Sequence, residues 1–122
     1  MDKKQTLINL IEKYEYEFSQ HHGWDVDEFG LYDCDVSDEY WSENESYAAY
    51  FIEANGQLAG FVMIAAGAEG HVETDYLVDE FFIMHKYRRH GIGKKAVFEI
   101  FDIYKGSWKI VFTQNATSAY FG

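Results

Sequence analysis

A chain of 122 residues is long enough for one hydrophobic core and too short for two, so residues 1–122 are expected to form a single domain. Hydrophobic residues make up 48% and aromatic ones 19%, a composition that excludes a disordered chain. The net charge of −11 argues against a partner held through its phosphate backbone, so no nucleic acid is expected.

From Lys3 to Gln20, the residues Leu7, Leu10, Ile11, Tyr14 and Phe18 recur at spacings of three, four and seven, which predicts an amphipathic helix. HHGWD ends it, with Gly23 as the C-cap. Residues 24–37 read as a loop, and Ser37 followed by acidic residues predicts the cap of a short second helix running through about Asn44. In YAAYFIEANGQLAGFVMIAA two apolar runs flank Asn55-Gly56, the signal of a tight β-hairpin. EGHVET reads as a loop, and YLVDEFFIM as a third strand rich in β-branched and aromatic residues. Helical spacing returns from about Ile92 to Tyr104, through Ile92, Ala96, Phe98 or Val97, Ile100 and Ile103. KGS breaks that helix, WKIVFT predicts a fourth strand, and NATSAYFG opens a last helical turn with Asn115 as its N-cap. The fold class that follows is α/β (α+β). An antiparallel hairpin leads into a strand–loop–helix–strand crossover, in a mixed sheet whose last pair is parallel.

No apolar run approaches the roughly 18 residues that span a bilayer, and the opening MDKKQTLINL does not read as a signal peptide. The single cysteine, Cys34, excludes an internal disulfide and fits a reducing compartment. A soluble cytoplasmic protein with no membrane partner is therefore expected.

The cations are unevenly placed. Lysine and arginine occur at 3, 4 and 13 and then not before Lys86, while residues 14–85 hold seventeen Asp and Glu. Seven of the ten cations fall between Lys86 and Lys109. A basic cluster inside an acidic chain points to a small anionic ligand bound at one place, and the acidic remainder suits a cationic second ligand or simply keeps the protein in solution. The centre of the cluster, RRHGIGKK, lies between a predicted strand end and a predicted helix start. There the first backbone N–H groups of a helix lack partners and the helix dipole is positive, so an anion, a phosphate above all, docks readily. Gly91 and Gly93 let the main chain approach such a ligand, and Arg88, Arg89, Lys94 and Lys95 add charge around it. The bland alternative is a glycine turn with a solvated basic face.

At these residues the chain resembles a known family. IMHKYRRHGIGKKAVFEIF is similar to the acetyl-CoA-binding motif of the GNAT superfamily of N-acetyltransferases, [R/Q]-x-x-G-x-[G/A], read here as Arg88-Arg89-His90-Gly91-Ile92-Gly93. The hairpin NGQLAGFVMI resembles the family's second and third strands, and QNATSAYFG the asparagine-led helix start after its fifth. GW, GLY and YW before the hairpin resemble a bacterial group of predicted acetyltransferases. The resemblance implies acetyl-CoA as cofactor. Arg88, Arg89, His90, Gly91, Ile92, Gly93 and Lys94 would hold the phosphates of coenzyme A, main-chain groups around Phe82, Ile83 and Met84 its pantetheine arm, and Asn115 would reach it from the next strand's end.

Against the family pattern the chain lacks the usual first strand and the last two, which implies an open C-terminal edge covered by a partner, hence a homo-oligomer such as a dimer. His85 stands where the family often has proline, and Gly122 where it often has a tyrosine general acid, with Tyr120 nearby on a helix that would aim it elsewhere. Acyl transfer to an amine needs a group to take the amine's proton. Asp79 and Glu80 lie on the strand leading to the cofactor, alternation turns one of them to the acceptor, and a bulge there would change which. Family members often use a carboxylate on this strand, and Glu80 is the expected base. Tyr14, Tyr32, Tyr40, Trp24 and Trp41 either wall an acceptor pocket or pack in the core. The histidines show no ligand spacing, so no metal is expected, and Cys34 reads as a bystander. The resemblance thus implies an N-acetyltransferase carrying acetyl to a primary amine, small molecule or peptide and cationic, by direct attack in a ternary complex. The alternative is a truncated, non-catalytic domain that binds coenzyme A or a protein partner.

Overall fold

The computed structural model describes residues 3–41 and 45–110. The chain divides into two compact units, Met1–Glu43 and Asn44–Gly122.

In the first unit the apolar stripe does form a helix, α1, Lys3–His22. Leu7, Leu10, Ile11 and Phe18 are buried, and Tyr14 meets Phe18 edge to face at 4.6 Å. The helix stops where Gly23 turns left-handed (φ +69) and its N–H donates to Ser19 O at 2.8 Å. Beyond it, Asp27 Oδ1 accepts the N–H groups of Phe29 (2.9 Å) and Leu31 (3.0 Å), folding a tight turn. The next segment is tied back to α1 by one side chain. Glu12 Oε1 accepts the Tyr32 N–H (2.9 Å) and Oε2 the Cys34 N–H (3.1 Å). Burial pushes the Glu12 carboxyl up, but the two backbone bonds together bring it below the ordinary glutamate value of 4.5. The Cys34 thiol is pushed up to about 12, by burial first and then by the hydrogen bond to, and the charge of, Glu12. The helix expected after Ser37 is corrected to a single 3₁₀ turn, Asp38–Tyr40. Ser37 does not cap it, because its Oγ bonds Glu39 Oε2 at 3.1 Å.

The second unit is a four-stranded mixed sheet in the order β1-β2-β3-β4. Strands β1, Tyr47–Ala54, and β2, Gln57–Ala66, form the expected hairpin, with Asn55 (φ 53) and Gly56 (φ 78) both left-handed in its turn. β3, Tyr76–Ile83, runs antiparallel to β2, and α2, Ile92–Ile103, carries the chain across to β4, Trp108–Ile110, which pairs parallel with β3. A polar clasp starts that parallel pair. Asp75 Oδ2 accepts the Ser107 N–H at 2.9 Å and the Ser107 hydroxyl at 3.3 Å, and the Tyr76 N–H donates to Ser107 O at 3.0 Å. Next to it an aromatic cluster joins the strands to the end of α2. Tyr76 stacks on Trp108 (4.9 Å), Trp108 Nε1 donates to Tyr104 O (3.1 Å), and the Tyr104 and Tyr50 hydroxyls share a 2.5 Å hydrogen bond. Burial and that bond push the Tyr104 phenol up to about 12. Phe61, Val62 and Ile83 are the largest fully buried side chains of the sheet. The predicted last turn with Asn115 lies outside the described residues.

Two outcomes are expected of the Glu12 tie. A folded carboxyl below 4.5 adds stability that is complete above that value and drains away as pH falls through the folded value. Glu12→Gln should therefore cost about 1–2 kcal/mol in urea unfolding at pH 7, and less as the pH is lowered toward 3. A thiol held near 12 stays protonated, so Cys34 should resist a disulfide reagent at pH 8 in the native protein and react at once in denaturant.

Candidate functional site

The site begins with a register shift in β3. Met63 pairs with Glu80 but Ile64 with Val78, so Asp79 is an extra residue. The shift resets the alternation of the main chain. The Tyr76 N–H donates toward β4, at Ser107 O, whereas the Met84 N–H donates toward β2, at Ala59 O (2.8 Å). By alternation, the main-chain groups of Glu80 and Phe82 also face β2, and those of Phe81 and Ile83 face the opposite edge, along which β4 pairs at Tyr76–Val78. Side chains follow the same parity. Glu80 shares a face with Phe82, Phe61 and Met63, and Phe81 and Ile83 share the other with Val62. Glu80 is half-buried and Asp79 exposed.

At the strand end β2 and β3 come together so closely that a Cβ on Gly60 would lie 2.0 Å from Phe82 O. The chain then turns through a 3₁₀ turn, His85–Tyr87, with His85 standing at the expected proline position. Arg88 is extended, Arg89 left-handed (φ 66), and Gly91 left-handed (φ 74) as the N-cap of α2. A Cβ built on Gly91 meets nothing within 4 Å, so the glycine serves its φ and borders open space. The first helical bond runs from the Lys95 N–H to Gly91 O at 3.0 Å, which places the N–H groups of Ile92, Gly93 and Lys94 ahead of any intrahelical acceptor. No side-chain cap and no acidic residue occupies this first turn, although the chain carries 21 Asp and Glu. Gly93 is buried, and Lys94 Nζ lies 5.8 Å from the Phe98 ring.

The structure thus gathers Phe82, Ile83, Met84 and residues 88–94 at one junction of strand end and helix start. Arg89, His90, Gly91 and Lys94 are exposed there. Arg88 differs. Its Nε donates to Ile83 O at 2.7 Å, its Nη1 lies 3.1 Å from His85 Nδ1, and its guanidinium sits 5.5 Å from the Phe82 ring. Glu80 lies three residues before Ile83, directly after the bulged Asp79, and Asn115 lies outside the described residues. Sequence reasoning missed a groove of about 670 Å³ between β1 and α2, lined among others by Tyr50, Val62, His90 and Ile100. Among the described residues no group of three or more His, Cys, Asp or Glu is placed to hold a metal ion, and no helix is long and apolar enough to cross a membrane.

The described architecture is consistent with a GNAT-like fold. The model of the Acetyltransferase (GNAT) family matches residues 6–121. No curated protein and no solved structure matches the chain. The chemistry of that family is acetyl transfer from an acyl-CoA, and the matched residues include the whole strand-to-helix junction described above. With the match running over nearly all of its length, the chain belongs to the GNAT acetyltransferase family.

Proposed function

We propose that this chain transfers the acetyl group of acetyl-CoA to a primary amine, by direct attack within a ternary complex. The start of α2 carries the reading: an uncapped, acid-free first turn behind a left-handed glycine that borders open space. The N–H groups of Ile92, Gly93 and Lys94, with the positive end of the helix dipole, suit the pyrophosphate of coenzyme A, and Arg89, His90 and Lys94 add charge at the same point. A side chain at residue 91 would fill the space that the phosphates need. Acetyl-CoA, when bound, supplies a thioester carbonyl for the amine to attack, the amide C–N bond forming as the C–S bond breaks and coenzyme A leaves as a thiolate that takes up a proton.

The chain's own groups would do the rest. The main-chain edge at Ile83 offers a strand-like hydrogen bond to an extended arm, with Phe82 and Met84 held to β2 behind it. A backbone N–H on that edge is suited to polarising a carbonyl. Glu80, half-buried on the same strand, would take the amine proton on its carboxylate directly or through a water. Seventeen Asp and Glu over residues 14–85 favour a cationic acceptor.

Two variants test the parts separately. Gly91→Glu places a carboxylate where the phosphates would lie and forces a side chain into φ +74, so calorimetric titration with acetyl-CoA should show binding lost by at least about a hundredfold. Intact binding in that variant would remove the loop from the cofactor site. Glu80→Gln should keep acetyl-CoA affinity and lower turnover of an amine acceptor by about 10²–10⁴-fold. Undiminished turnover across pH would dismiss Glu80 as the base, and binding without turnover in the unaltered protein would favour a non-catalytic coenzyme A binder.

A further inference from the structure

We infer that Arg88 is a positioning residue, which holds the end of β3 in register for the pantetheine arm, and not a ligand of the phosphates; this rests on the acetyl-CoA reading above. It occupies the first position of the glycine motif, where charge alone would assign it to an anion. Its side chain is engaged by the strand end instead. A guanidinium is a planar fork whose donors are fixed relative to one another. Here Nε is committed to Ile83 O at 2.7 Å, the short distance of a charge-assisted bond, and Nη1 to His85 Nδ1 at 3.1 Å, so the plane is set by residues 83–85. The Phe82 ring beneath the cation, at 5.5 Å, holds it there.

The carbonyl that Arg88 holds has a particular neighbour. Ile83 C=O and Met84 N–H belong to one peptide unit, and the Met84 N–H donates to Ala59 O at 2.8 Å. This unit is therefore pinned at both ends, by Arg88 on the outer edge and by β2 on the inner one, and each bond polarises the other. Pinning fixes the direction of the preceding main chain, including the outward N–H group of Ile83. It also occupies the last outward carbonyl of β3, so an extended ligand pairing along this edge ends at residue 83. The chain then passes to Arg89, whose left-handed backbone (φ 66) and exposed side chain begin the phosphate loop. Two adjacent arginines have separate tasks.

The test uses two ligands, coenzyme A and 3′-phospho-ADP, which keeps the pyrophosphate but lacks the pantetheine arm. Each is titrated calorimetrically into the full chain and its Arg88→Met, Arg88→Lys and Arg89→Met variants. Arg88→Met should bind 3′-phospho-ADP within about twofold of the unaltered protein and coenzyme A about tenfold more weakly, the loss of one charge-assisted bond. Arg88→Lys should fail to rescue, since an ammonium on a flexible stem cannot make the in-plane pair. Arg89→Met should weaken both ligands by the same factor. Equal weakening of both ligands by Arg88→Met, full coenzyme A affinity in that variant, or rescue by lysine would each overturn the inference. An unaltered protein that binds neither ligand overturns the acetyl-CoA reading itself, and the inference with it.

Discussion

β3 pairs with β2 along its length and with β4 over Tyr76–Val78, and the two pairings meet at Asp79. A strand without an inserted residue would present the same parity from end to end. The extra residue lets Val78 and Phe81 turn their main-chain groups to one edge while Leu77, Glu80 and Phe82 stay bonded to β2. Everything at the functional end follows from this change of parity. It sets the outward edge at Phe81 and Ile83, aims the Ile83 carbonyl at Arg88, and puts the Glu80 side chain on the face opposite Val62.

The electrostatics of the junction arise from what is left out as much as from what is present. The chain places nineteen acids before residue 86 and none between Lys86 and Lys95, so the first turn of α2 keeps its full partial positive charge. Cations there are arranged at two depths. Arg88 is folded inward onto the strand end, whereas Arg89 and Lys94 are held toward solvent. An anion approaching α2 meets backbone donors and mobile charges first, and the inner arginine is already engaged.

Local signals carried most of the fold into the sequence. Leu7, Leu10, Ile11 and Phe18 repeat at helical spacing, Asn55-Gly56 supplies two left-handed residues between apolar runs, and Arg88 to Gly93 form a contiguous motif; each element is encoded within a few neighbouring residues. Where the reading stopped short, the deciding contact joined a side chain to something that no local pattern specifies. Ser37 had the right identity for a helix cap but its hydroxyl went to Glu39. Glu12 sits in no motif, and its backbone partners lie twenty and twenty-two residues away. Cys34 was legible as inert, but not that a neighbouring carboxylate keeps it so. For Arg88 residue type named the charge without its direction, since a flexible side chain at a loop start chooses its partner only once the strand end is in place.

The Asp75–Ser107 clasp carries a consequence for how the protein comes to be folded. It joins residues 32 apart, while β1, β2 and β3 meet through a two-residue turn and one short loop. Closing the longer segment loses more chain entropy and waits on α2, so the three-stranded meander is the natural nucleus and β4 a late arrival. Trp108, stacked on Tyr76 across that seam, places one of the chain's three tryptophans at the closing step. Strand order in assembly would then run opposite to functional importance: the scaffold forms early, and the edge on which the cofactor's arm is expected to lie acquires its second wall last.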